Sequence, residues 1–233
     1  MRLNNIAGLS FDLDDTLWPF NAAVLKAEAA LYQWLQHQAP ATAGILSGPE
    51  QLRQFRNNLA VTCPAMAHDP ALLRRTSIRN ILMAAGENPD LADPGYDLFY
   101  AERQKVTFFD DALPALKYLS RHYPLAAISN GNADLAAIGI DHFFEARFFA
   151  HQLGIAKPDA RIFHASAVAL NIAPSNMLHV GDDVELDVRG ALLAGCKAAW
   201  LVRDRAQDAL AGADDVSDTL IIQNLHQLCD MLG

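Results

Sequence analysis

The feature that most constrains this chain is an apolar run, Ile6–Phe11, that stops at Asp12 and continues as Leu13, Asp14, Asp15 and Thr16. A short, nearly unbroken apolar run marks a strand buried on both faces, because only there do both sets of alternating side chains leave water. Such strands build parallel sheets, and open α/β sheets place their ligand crevice at the carboxyl ends of the strands. The acids therefore open onto a crevice. Alternation along an extended backbone sends Asp12 and Asp14 to one side and Leu13 to the other. Two carboxylates held side by side repel unless a cation neutralises them, and Mg²⁺, a hard divalent ion that takes oxygen ligands, meets that need.

Similar short apolar runs recur at Leu125–Ser129, within Phe143–Ala150, at Met177–Val180 and at Ala198–Val202. Helical patterns separate them: Leu113–Tyr123, a helix starting at Leu135–Ile138, Asp159–Leu170, and Asp187–Ala194 ending at Gly195. This alternation predicts an α/β fold, a Rossmann-like parallel sheet with helices on both faces. A last apolar stretch, Leu220–Leu232, reads as a docking helix. Between the first strand and the second the pattern is helical only, with helices expected from Asn21, over Pro49–Leu59, from Pro70 to about Ala85 behind Asp69, and near Tyr96–Lys105. The division this implies is an α/β core of residues 1–17 and 107–233 with a helical insertion at 18–106.

Charge narrows the function classes. A net charge of −9 leaves no excess basic field for nucleic acid or a membrane surface, and no apolar run reaches spanning length. Cys63, Cys196 and Cys229 are too few and too scattered for a disulfide framework, and no secretory leader is visible, so a cytoplasmic chain is expected. The eight histidines form no close ligand pair, with His179 reading as buried structure. A calcium loop of EF-hand type fails at Leu17 and Ala23, where its glycine and bidentate glutamate belong, and no P-loop appears.

Three more stretches lie at or near strand ends and open onto the crevice of Asp12. Ser129-Asn130-Gly131 offers a hydroxyl, an amide and backbone N–H groups to an anion, or is an ordinary turn. Lys157, before Pro158, projects inward or is a solvated loop residue. Gly181-Asp182-Asp183 supplies a third carboxylate from Asp182, while Asp183 and Asp187 serve either that site or the N-terminus of the following helix.

In this order, Asp12-Leu13-Asp14-Asp15-Thr16, Ser129, Lys157-Pro158 and Gly181-Asp182-Asp183…Asp187 resemble the four motifs of the haloacid dehalogenase-like hydrolase superfamily. The resemblance implies a Mg²⁺-dependent phosphatase with the insertion as a helical lid over the site. Asp12 would be the nucleophile that forms an aspartyl-phosphate, and Asp14 the general acid and base. Mg²⁺ would be held by the carboxylates of Asp12 and Asp182 and the carbonyl of Asp14. Ser129, the Asn130 and Gly131 backbone and Lys157 would hold the phosphoryl oxygens, with Asp183 and Asp187 behind them. Dehalogenases of this group do not need the acid two residues after the nucleophile, so Asp14 favours phosphoryl transfer. A phosphomutase, a haloacid dehalogenase or an inert binding or regulatory member are the alternatives.

The implied partner is a small phosphorylated metabolite, and the oligomeric state is left open. Its identity would be read by the insertion, where Arg74, Arg75 and Arg79 within His68–Arg79 contact it or are solvated, and where Trp18 and Phe20 stack on a planar ring or form a hinge seam. Phe11–Leu17, Ile128–Ala133 and His179–Asp183 also resemble bacterial phosphatases of the riboflavin route, which act on FMN or its phosphorylated ribitylaminouracil precursor.

Overall fold

Among the described residues six parallel strands, β1 (Gly8–Phe11), β2 (Leu125–Ser129), β3 (Ala146–Phe149), β4 (Met177–Gly181), β5 (Lys197–Leu201) and β6 (Leu220–Ile222), form one sheet in the order β3-β2-β1-β4-β5-β6. The chain has the α/β class its alternation implied. The structure is a computed structural model that describes residues 5–66, 69–203 and 219–233. His68 lies outside the described residues.

The strand read first from the sequence is central. Every residue of β1 is buried, and β1 pairs with β2 on one side (Phe11 opposite Ala127) and with β4 on the other (Phe11 opposite Val180). Its ladder continues one residue further, where the Asp12 N–H donates to the Val180 carbonyl at 2.9 Å. On one side of the sheet Ile128, Ile162, Phe163, Met177, Val188 and Trp200 form a continuous core. Three strand ends, those of β2, β1 and β4, thus lie side by side, and each carries one of the polar stretches singled out above.

Three boundaries differ from the sequence reading. Leu220–Leu232 is not one helix: Leu220–Ile222 pairs with β5, and the helix Leu225–Leu232 starts only after Asn224, whose side chain accepts from the Gln227 N–H and caps it. Two adjacent isoleucines suit a strand next to an existing sheet better than a helix start. The helix expected at Tyr96 begins at Ala92, with Pro94 in its first turn, where no backbone hydrogen bond is lost. The helix expected over Asp187–Ala194 opens as a widened π-helical turn, Val184–Arg189, in which the Asp183 carbonyl accepts from both Asp187 and Val188.

The chain divides into two compact units: residues 1–19, 107–131 and 139–233, and residues 20–106 with 132–138. Residues 132–138, counted with the core above, join the helices because the Asp134 N–H donates to the Gln104 side-chain oxygen at 2.8 Å.

In the helical unit α1 (Phe20–Gln38), α2 (Pro49–Thr62), α3 (Pro70–Ala84) and α4 (Ala92–Arg103) share a core of Leu31, Leu35, Leu52, Ile78, Ile81, Leu82 and Phe99. Asp69 caps α3 through the Ala71 and Leu72 N–H groups. Charge is sealed inside as well: Glu28 of α1 is fully buried and accepts from Arg74 of α3 and Arg53 of α2. Arg74, itself 3% exposed, lies 4.1 Å from the Phe99 ring centroid, so its side chain is spent inside this unit and is no substrate contact. Burial lowers its pKa to about 10, still charged at neutrality. Arg74→Met is expected to destabilise the protein by ~3 kcal/mol in urea unfolding, because it strands the Glu28 carboxylate beside one remaining arginine. No helix among the described residues is long and apolar enough to cross a membrane.

Candidate active site

The site is built from strand ends. After β1 the chain turns tightly: the Leu17 N–H returns to the Leu13 carbonyl at 2.7 Å, and Asp15 takes a positive φ of 58°, a conformation that aspartate tolerates better than bulkier residues. The turn leaves Asp12 buried and Asp14 half-buried. From β4, Gly181 is followed at once by Asp182. Oxygen atoms of Asp12, Asp182 and Asp187 lie within 4.8 Å of one another. The Thr16 hydroxyl bridges the first two, 3.5 Å from Asp12 Oδ2 and 3.3 Å from Asp182 Oδ1. The Asp182 carbonyl accepts from Trp200 Nε1 on β5 at 2.9 Å, which fixes the backbone there.

Lys157 points inward. Its side chain is buried, and Nζ donates to Asp12 Oδ1 at 2.5 Å and to Asp187 Oδ1 at 2.6 Å. Its backbone is clamped by Asn130, whose Oδ1 accepts from the Lys157 N–H at 2.8 Å and whose Nδ2 donates to the Lys157 carbonyl at 3.0 Å. The Asn130 side chain is therefore consumed in holding the lysine loop. Ser129 is buried, and its Oγ accepts from the Gly131 N–H at 3.0 Å.

Asp187 is the anchor of the lysine. Oδ1 also lies 3.1 Å from His179 Nε2, and Oδ2 accepts from the Asp183 N–H at 3.1 Å. The widened turn brings Asp187 so close to β4 that a Cβ on Gly181 would sit 2.3 Å from the Asp187 Cγ, so only glycine fits at that position. Asp183 itself is exposed, and its carboxylate is taken up by the Glu185 and Leu186 N–H groups at 2.8 and 2.9 Å. It is a helix-start cap, and the supporting role read for its carboxylate is corrected: only its backbone N–H reaches Asp187.

Trp18 is corrected as well. Its ring is fully buried and Nε1 donates to Asp14 Oδ1 at 2.7 Å, so it orients the acid and cannot stack on a ligand. Arg75 and Arg79, both in the helical unit, pair with Asp93, and Arg75 also with Asp97. Two residues absent from the sequence reading of the site hold it from behind. Arg203 Nη2 donates to the Thr16 carbonyl at 2.7 Å and Nη1 to Asp111 at 3.0 Å, bracing the turn. His179 supports Asp187, and its signal in the sequence was a histidine inside an otherwise apolar strand.

The electrostatics are those of an over-acidic pocket. Burial pushes the Asp12 carboxyl well above the ordinary range, against the opposing pull of Lys157. Burial, with Asp187 and Asp15 nearby, raises Asp182 to about 7. Asp187 goes the other way: the Lys157 ammonium and the His179 hydrogen bond outweigh its burial and hold it ionised. Lys157 is raised by the same two carboxylates despite its burial. Three carboxylates face one ammonium, and all the donors are hard oxygens, so the residues fit a divalent ion such as Mg²⁺. Asp187 already serves three hydrogen bonds, which leaves Asp12 and Asp182 as the side chains to hold it.

Comparison with known proteins gives the family. A family model described as haloacid dehalogenase-like hydrolase matches residues 6–195. The chain is 32% identical over 203 residues (85% of this chain, 84% of the other) to the 5-amino-6-(5-phospho-D-ribitylamino)uracil phosphatase YigB of Escherichia coli, and 34% identical over 148 residues (60% and 59%) to a phosphoserine phosphatase of Thermus thermophilus. Among solved structures, one titled as a 2-haloacid dehalogenase from Pseudomonas syringae superimposes with a TM-score of 0.84 at 35% identity, covering 97% of this chain and 98% of that one. Six parallel strands with acids gathered at the central strand ends, and a family model spanning most of the chain, lead to one conclusion: this protein belongs to the haloacid dehalogenase-like hydrolases.

Proposed function

We propose that the protein is a Mg²⁺-dependent phosphatase that hydrolyses a small phosphate monoester of the cytoplasm through an aspartyl-phosphate on Asp12. The observation that carries the reading is the joint placement of Asp12 against Lys157 and Asp182, with Asp14 two residues on and held by Trp18. In the first step a carboxylate oxygen of Asp12 bonds to phosphorus as the ester P–O bond breaks. Asp14, entering as the acid, gives its proton to the leaving oxygen; in the second step it takes one from the water that attacks the aspartyl-phosphate and releases phosphate. Lys157, Ser129 and the Asn130 and Gly131 backbone hold the equatorial oxygens, on which negative charge accumulates. When bound, Mg²⁺ supplies charge neutralisation between the nucleophile and the phosphate dianion, with Asp12, Asp182 and the Asp14 carbonyl as its ligands.

A cation at Asp182 competes with a proton. With that carboxyl near pH 7, Mg²⁺ affinity is expected to be roughly tenfold tighter at pH 8 than at pH 6, read by calorimetric titration. The same affinity at both pH values would mean that binding displaces no proton from this carboxyl.

For the substrate, the similarity to the ribitylaminouracil-phosphate enzyme supports a riboflavin-pathway phosphate, that compound or FMN. The helical unit, with Arg75 and Arg79, is the proposed determinant of leaving-group choice. A phosphate-release screen of phosphorylated metabolites is expected to favour one of these two esters by at least about tenfold in kcat/KM over sugar phosphates and phosphoserine; a flat profile or another winner would reassign the substrate. The second reading, a haloacid dehalogenase, is favoured by the 35% identity to the chain so titled. Chloride release from 2-chloropropionate without phosphatase activity would select it, and Asp14 argues against it.

A further inference from the structure

His179 stands in the middle of β4, fully buried, with Ser10 of β1 directly opposite in the strand register. Its Nδ1 is 2.9 Å from Ser10 Oγ and its Nε2 is 3.1 Å from Asp187 Oδ1. The ring meets Phe163 in a T-shaped contact with centroids 5.0 Å apart and planes at 85°. Asp187 Oδ1 also accepts from Lys157 Nζ, and Lys157 Nζ donates to Asp12 Oδ1. Five side chains therefore form one buried chain that leaves β1 at Ser10 and returns to it at Asp12.

The partners settle where the ring proton sits. Asp187 is ionised beside Lys157 and only accepts, so Nε2 carries the hydrogen and donates it. Nδ1 is then bare and accepts from the Ser10 hydroxyl, which selects this tautomer over the other. Burial keeps the ring neutral, so it directs Asp187 without adding a second cation to compete with Lys157. Apart from Lys157 itself, Asp187 has one other anchor, the Asp183 N–H on Oδ2. A carboxylate held through Oδ2 alone can swing Oδ1 away and take the ammonium with it.

We propose that His179 is a positioning residue for phosphoryl transfer: its Nε2–H fixes Asp187 Oδ1, which aims the Lys157 ammonium at Asp12 and at the phosphoryl group that Asp12 takes on. This rests on the phosphatase reading above. Histidine here has a task that an apolar residue of the same size would not perform, whereas glutamine, which places an amide N–H near the Nε2 position, would perform most of it.

The test combines activity with a signature read on resting protein. With Mg²⁺ and p-nitrophenyl phosphate, His179→Phe is expected to lower kcat about 10–100-fold with KM within about twofold, as loss of a supporting partner does. His179→Gln is expected to return to within about threefold of the parent. Ser10→Ala, a small change inside a strand, is expected to lower kcat about three- to tenfold and carries the test if His179→Phe does not fold. Ring ¹⁵N chemical shifts of the substrate-free protein are expected to place the proton on Nε2 of His179. A proton on Nδ1, an unchanged kcat in His179→Phe or Ser10→Ala, or a glutamine variant no better than phenylalanine overturns the proposal. Parent enzyme that releases no phosphate from any ester overturns the phosphatase reading and this role with it, and the ¹⁵N shifts tell that failure apart from a wrong ring assignment.

Discussion

Asp12→Asn is expected to lower phosphate release by roughly 10⁴-fold or more while the protein stays folded, because the amide has no lone-pair anion to attack phosphorus and no other carboxylate stands in its place. Asp182 and Asp187 each have an oxygen within 4.8 Å of Asp12, but the first is assigned to the cation and the second is tied up by Lys157, His179 and the Asp183 N–H. The fold is expected to tolerate the change. Removing the Asp12 charge weakens the hydrogen bond from Lys157, yet it relieves a carboxyl that burial already disfavours and its repulsion with Asp187 and Asp182. The two effects oppose each other, so the melting temperature should move by only a few degrees. Single-turnover phosphate release and thermal melting check both halves. Turnover comparable to the parent would mean that another group attacks.

Lys157→Met should fail differently, in stability as well as rate. Methionine keeps the volume of the lysine stem and removes the charge that Asp12 and Asp187 share. Two buried carboxylates then lose the cation they share, a change that costs ~3–5 kcal/mol, or roughly 6–20 °C in the melting temperature of a chain this long. The measurement belongs in EDTA, where no cation can substitute for the ammonium. The pH dependence follows from the directions of the shifts. Asp187 is depressed by Lys157, so its contribution is present above the ordinary carboxylate pKa and lost as pH falls through its folded value. Lys157 is raised, so its contribution is present below 10.5 and lost only as pH rises through its folded value. The deficit of the variant is therefore greatest across neutral pH and shrinks toward strong acid. Its kcat is expected to fall by roughly 10²–10³-fold even where it is folded, since a preformed cation beside the phosphoryl oxygens is lost. A variant as stable as the parent at pH 7 would mean that the two carboxylates do not share this ammonium in solution.

What was legible in the sequence was whatever shows in a short window. An apolar run ending in an acid announces both a buried strand and its crevice end, so β1 and β4 could be read with their acids in place, and Asp69 and Pro70 announce a helix start. What was not legible depends on partners distant in the chain. Trp18, six residues after Asp12, looks available for a ligand until the structure gives its N–H to Asp14. Arg74 looks like surface charge until Glu28, on another helix, is found buried against it. Ile221 and Ile222 fit a helical stripe as well as a strand, and only the free edge of β5 decides for the strand. The turn at Val184–Arg189 is widened, which no local pattern encodes, and Asp187 within it meets Lys157.

The position of β1 between β2 and β4 has a consequence for how the protein is made. The strand that leads into Asp12 is translated before either of its neighbours, which begin at Leu125 and Met177. At typical elongation rates it waits roughly 10–30 s for the second of them. During that interval an apolar strand end with two open edges is exposed to chaperones and to other nascent chains, while the four-helix segment translated next can pair locally. Slower codons before Met177 would lengthen the exposure, and aggregation during synthesis should rise with them.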